Sequence, residues 1–149
     1  MDTNYSNADR LKYGNDNNGT SNAVLLFRIE PSLMLYHKII KNVTLKFRVA
    51  SKQVYSNGNI SESSLMMGEV IVYDGAQEDY INQITQRNSS GYLTGLKATT
   101  RIERLNVNNG EYASLNIGIG NYDWNNGWLT VVIKGWTTGN YYYYGELYA

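Results

Sequence analysis

Residues 43–50 read VTLKFRVA, and their alternation decides the fold class. Val43, Leu45, Phe47 and Val49 fall on one face of an extended chain, and Thr44, Lys46, Arg48 and Ala50 fall on the other. A period of two is the signature of a half-buried antiparallel strand, because successive side chains in a strand point to opposite sides.

The same pattern recurs outward from this segment. AVLLFRIE, residues 23–30, offers Leu25, Phe27 and Ile29 to a core, while Val24 and Leu26 lie opposite and need cover of their own. EVIVYDG ends at the Asp74-Gly75 turn, and ATTRIERLNV, EYASLNIGI, WLTVVIKGW and the run Tyr141–Tyr144 follow. In EYASLNIGI the inward positions are Leu115, Ile117 and Ile119. The separators NGN, NNG and TTGN favour turns, since glycine and asparagine tolerate positive φ. EPSLMLYHKIIKN and AQEDYINQITQR are read as a helical turn in a crossover and a short helix or irregular excursion. The expectation is seven to nine strands in a single domain over residues 1–149, an all-β antiparallel two-sheet β-sandwich of jelly-roll type.

Composition agrees with that class and narrows the chemistry. The chain has 149 residues, 14 tyrosines, 14 glycines and one proline, a turn-rich β palette. Thirteen basic residues cancel thirteen acidic ones without a long block of either sign, which speaks against nucleic acid and anionic membranes as partners. No apolar run reaches spanning length, and the opening MDTNYSNADRLKYG lacks the pattern of a secretory leader. The absence of cysteine excludes a disulfide framework, a cysteine nucleophile and a thiolate metal site.

Catalytic patterns are faint. His37 is the one histidine and there is no GxSxG, so a serine triad would have to use His37 as base. Carboxylate pairs such as Glu78 with Asp79 or Glu69 with Asp74 are what scattered acids yield without design. The chain is therefore expected not to be an enzyme and to need no cofactor. Asp2, Asp9 and Asp16 are candidate oxygen ligands for a structural calcium, although no EF-hand spacing is present.

In order along the chain, DTNYSNADRLKYG, AVLLFRI, VTLKFRV, VIVYDGAQEDY, WLTVVIKG and the tyrosine run resemble the DNRLRE-type β-sandwich modules. Asn4, Tyr5, Asp9, Leu11, Leu26 and Phe27 match the family pattern. The resemblance implies non-catalytic carbohydrate binding. Arg28 replaces the family's usual acidic residue, and Asn116 replaces its aspartate. The family's first and last strands have no counterpart here, so open sheet edges, one of them near the tyrosine run, are expected to meet neighbouring subunits.

Aromatic rings beside amides are what a sugar site needs: the rings stack on C–H faces and the amides orient hydroxyls. Tyr122, Trp124, Asn125, Asn126 and Trp136 supply both within a short stretch, with Trp124 the leading stacking candidate and Trp128, at a strand start, the plug of one end. In the tyrosine run Tyr141 and Tyr143 face one way, Tyr142 and Tyr144 the other; one pair is expected in the core, the other outside, and Tyr142 and Tyr144 join the glycan-binding candidates. Two readings result. One is a surface-displayed decoration or adhesion protein of a bacteriophage capsid or tail, contacting neighbouring subunits and a polysaccharide or cell-surface glycan. The other is a carbohydrate-binding module of a secreted polysaccharide-active enzyme or cell-surface protein.

Overall fold

The computed structural model describes residues 9–16, 19–28, 43–76, 96–117 and 128–148. Its ten strands are β1 Arg10–Asp16, β2 Gly19–Ser21, β3 Ala23–Arg28, β4 Val43–Ser56, β5 Asn59–Glu62, β6 Met66–Asp74, β7 Lys97–Leu105, β8 Tyr112–Ile117, β9 Trp128–Thr138 and β10 Tyr141–Tyr148. Every pairing is antiparallel. The strands form one connected network along β2-β1-β10-β9-β6-β7, with β3 on β9 and with β4 on β10, β5 and β8. The all-β antiparallel class is thus observed, and no helix occurs among the described residues. The two segments read as helical lie outside those residues, apart from Ala76, which follows β6 without regular structure.

Strand β4 shows how far a periodic reading holds. Leu45, Phe47 and Val49 are buried while Thr44, Lys46 and Arg48 are exposed, as the alternation requires. Opposite β10 the register then shifts: Leu147 faces Val49, but Glu146 faces Ser51, leaving Ala50 as an extra residue. Such a bulge exchanges the two faces of a strand. Past it the even-numbered positions turn inward, and Lys52, opposite Gly145, is 2 % exposed.

Strand β9 lies between β3 and β6 and is buried on both sides. Leu129, Val131 and Ile133 join the main core with Val70, Val72, Leu115 and Leu147. Thr130, Val132 and Ile71, of opposite parity, are also buried, with Val24 and Leu26 half-buried against the same positions. The mostly apolar run over residues 129–133 of β9 is the sequence form of this double cover. Leu25 and Phe27 pack on the main core, as expected, while Ile29 lies outside the described residues.

Turn chemistry is equally local. Asn57 and Gly58 have φ of 51° and 81° between the paired residues Ser56 and Asn59. Two positive φ values make a type I′ turn, whose twist suits a two-residue hairpin.

Strand β10 corrects the expectation of an open edge at the tyrosine run. One side of β10 pairs with β4, and the other pairs first with β9 and then with β1. The change of partner is a crowded corner. A Cβ on Gly135 would lie 2.3 Å from the Gly14 Cα, and one on Gly14, at φ +98°, would lie 2.3 Å from the Tyr143 carbonyl oxygen. Only glycines let three backbones approach so closely.

The expected core pair of tyrosines is also corrected. Tyr141 and Tyr142 are 52 % and 39 % exposed, and Tyr143 and Tyr144 are half-buried. The run occupies the hairpin end of β10, and the buried positions, Gly145 and Leu147, come after it.

Candidate functional site

Three strands, β1, β10 and β4, lie side by side, and their outward positions follow from register. Lys12 pairs with Glu146, which pairs with Ser51; Gly14 pairs with Tyr144, which pairs with Gln53; Tyr142 pairs with Tyr55. Directly opposed residues share a face. Arg10, opposite Tyr148, and Arg48, on the outer side of β4, extend the row. Tyr142 and Tyr148 are six residues apart on one face, about 20 Å at the rise of a strand.

Between Tyr144 and Lys12 the surface sinks into a groove of about 160 Å³, lined by Lys12, Gly14, Ser21, Ser51, Gln53, Tyr144 and Glu146. Toward the hairpin end, the rings of Tyr55 and Tyr142 are 6.1 Å apart and inclined at 49°. At the opposite end the Arg10 and Arg48 guanidinium carbons lie 5.3 Å and 4.9 Å from the centre of the Tyr148 ring. Arg48 also donates from Nε to the Gly110 carbonyl at 3.0 Å. Tyr112, opposite Arg48, is 60 % exposed.

The inner side of the same strands is closed and satisfied. Tyr13 is 1 % exposed and covers Gly145, where a Cβ would sit 2.7 Å from its hydroxyl oxygen. Burial pushes the Tyr13 phenol well above the ordinary tyrosine value, because a phenolate would be desolvated there. The Lys52 ammonium donates to the carbonyls of Val107 and, at 3.3 Å, Ser64. Ser63, also buried, donates from Oγ to the Leu65 carbonyl at 2.7 Å.

The residues read from the sequence fall into three groups. Tyr122, Trp124, Asn125 and Asn126 lie outside the described residues, as does His37. Tyr142 and Tyr144 are brought together on the outer face, beside Tyr55 and Gln53. Trp136 is separated from them: it pairs with Tyr143, so the alternation of β10 sends it to the other face. Trp128 does begin a strand, half-buried, with the Arg28 guanidinium 5.6 Å from its ring centre.

Two of the three calcium candidates stand at opposite ends of one strand. Asp9 immediately precedes β1 and Asp16 ends it, about 20 Å apart at the rise of a strand, whereas calcium ligands share one ion at about 2.4 Å. Asp2 lies outside the described residues, among which no group of three or more His, Asp or Glu gathers. Glu69 and Asp74, paired with Lys134 and Leu129, have opposite parity on β6 and cannot converge on one reacting atom.

Sequence reasoning missed Arg10, Lys12, Gln53, Tyr55 and Glu146 as members of this face. The step of two through Tyr142, Tyr144, Glu146 and Tyr148 was a legible signal for the β10 row. Gln53 and Tyr55 had none, because the bulge at Ala50 reverses the parity on which they depend. No protein family, no curated protein and no solved structure matches the chain.

Proposed function

We propose that this protein is a non-catalytic β-sandwich similar to the DNRLRE-type carbohydrate-binding modules, displayed on a bacteriophage capsid or tail as a decoration or adhesion protein. In this reading the strand network closes as a two-sheet jelly roll, with β3, β9, β6 and β7 in one layer and β1, β10 and β4 in the other. The supporting observation is the outer face of β1, β10 and β4, where Tyr55, Tyr142 and Tyr144 stand beside Lys12, Ser51, Gln53 and Glu146 around the groove. Rings of this kind stack on the C–H faces of sugars, and the polar row orients hydroxyl groups. Neighbouring subunits would meet the protein at sheet edges away from β10.

The same face supports a second reading, a module of a secreted polysaccharide-active enzyme or cell-surface protein. It is favoured by one feature: β10 is paired on both sides, so its tyrosines serve a ligand lying on the sheet rather than a strand added to its edge.

A glycan array, followed by calorimetric titration and size measurement in solution, tests the proposal. Defined oligosaccharides are expected to bind, with affinity lowered about ten-fold or more in Tyr142→Ala/Tyr144→Ala. A blank array overturns the glycan reading, and binding untouched by the double variant moves the site elsewhere. A strict monomer that binds oligosaccharides removes particle assembly and leaves the module.

A further inference from the structure

The outer face is not uniform along its length. Its hairpin end is neutral and aromatic, with Tyr55 and Tyr142 in ring contact. Its other end holds two guanidinium groups against one ring, Arg10 and Arg48 on Tyr148. These cations come from different strands, β1 and β4, on either side of β10, so the arrangement is set by the sheet and not by one flexible segment. Neither guanidinium has a carboxylate partner among the described residues.

Stacking restrains an arginine side chain while leaving most of its N–H groups available. Arg48 uses Nε for the Gly110 carbonyl, which orients its remaining nitrogens. The arrangement suits an oxyanion, which accepts charge-assisted hydrogen bonds from guanidinium N–H groups. Charge elsewhere on the face is balanced: Lys12 sits opposite Glu146, and the chain as a whole is neutral.

We infer that the Arg10–Tyr148–Arg48 cluster is a subsite for an oxyanion carried on a glycan, and that the ligand is an acidic heteroglycan, with its anionic group about 20 Å from neutral sugars stacked at Tyr142. The inference rests on the glycan reading of the same face. A nucleic acid fits less well, because its charge repeats at every nucleotide while the strip is cationic at one end only. A homogeneous polyuronate fails on the same ground. Carboxylate, sulfate ester and phosphodiester share the required chemistry, and the experiment separates them.

Calorimetric titrations would compare oligosaccharides that differ only in a carboxylate, a sulfate or a phosphate on one sugar, beside the unsubstituted form, a homopolyuronate and a single-stranded oligonucleotide. At least one acidic form is expected to bind about ten-fold more tightly than the neutral one at low salt, with the advantage shrinking as salt rises. Arg10→Ala is expected to bring the affinity for the acidic form down to that of the neutral one, both read on the same variant. Arg48→Lys, which keeps a cation but not the planar fork, is expected to remove most of the advantage. Equal binding of acidic and neutral forms overturns the inference while the glycan reading stands. Tightest binding by the homopolyuronate overturns the spacing argument. Binding of no glycan overturns both readings, and preferential binding of the oligonucleotide assigns the cluster to nucleic acid instead.

Discussion

The two faces of the β1–β10–β4 sheet use similar side chains to opposite ends. Inward, Tyr13 and Lys52 are 1 % and 2 % exposed, and the lysine spends its donors on backbone carbonyls. Outward, Tyr142 and Tyr148 are 39 % and 38 % exposed, and the arginines lie on rings rather than on carboxylates. Residue type does not separate these fates. What separates them is the glycine opposite Tyr13 and the bulge before Lys52, both of which belong to strand pairing. A tyrosine or a lysine therefore signals a ligand only once its face is known.

The contrast can be broken most severely at Gly145. A Cβ there would lie 2.2 Å from the Ser51 carbonyl oxygen and 2.9 Å from Tyr13 Cε1. Gly145→Ala is expected to destabilise the fold by about 3 kcal/mol or more, measured by denaturant unfolding, because backbone and a buried ring must both move. Lys52→Met comes next. It preserves the stem but strips the Val107 and Ser64 carbonyls of their donor, at a cost of about 1–3 kcal/mol. A loss no larger than that of an exposed lysine would mean water replaces the ammonium.

Tyr13 sharpens the comparison through pH. Its phenol is held above the ordinary value near 10 in the folded state, whereas the unfolded chain ionises near 10. The unfolded state thus sheds a proton first. The contribution is fully present below pH 10 and declines as pH rises beyond it, by at most about 1.4 kcal/mol per unit. Tyr13→Phe is expected to flatten that decline relative to the parent chain, and parallel curves would show that the phenol is not excluded from water. The smallest effect on stability belongs to the outer face. Tyr142→Ala/Tyr144→Ala should change unfolding free energy by about 1 kcal/mol or less while abolishing most glycan binding. A large loss of stability would make these rings packing residues after all.

Legibility in the sequence followed the range of the interaction involved. The alternation of VTLKFRVA and the Asn57-Gly58 turn depend on neighbours in the chain, and the structure bears them out. The common face of Tyr142 and Tyr144 was readable for the same reason, while the register with β4 decided that it is the outer one. Trp136, grouped in the sequence with Tyr122 and Trp124, lies on the other face from Tyr142 and Tyr144, and one residue of register makes that difference. Arg10 and Arg48 are far apart in the chain and meet only because β10 runs between their strands.

The sequence by itself therefore determined the antiparallel all-β class, the strands with clean periodicity and the turns that join them, because side-chain alternation and positive φ are local properties. Tertiary structure alone decided that β10 is interior, that a bulge buries Lys52, and that two distant arginines share one tyrosine ring. Those facts depend on which strand lies beside which, and pairing partners and register are settled by long-range packing that no local pattern encodes.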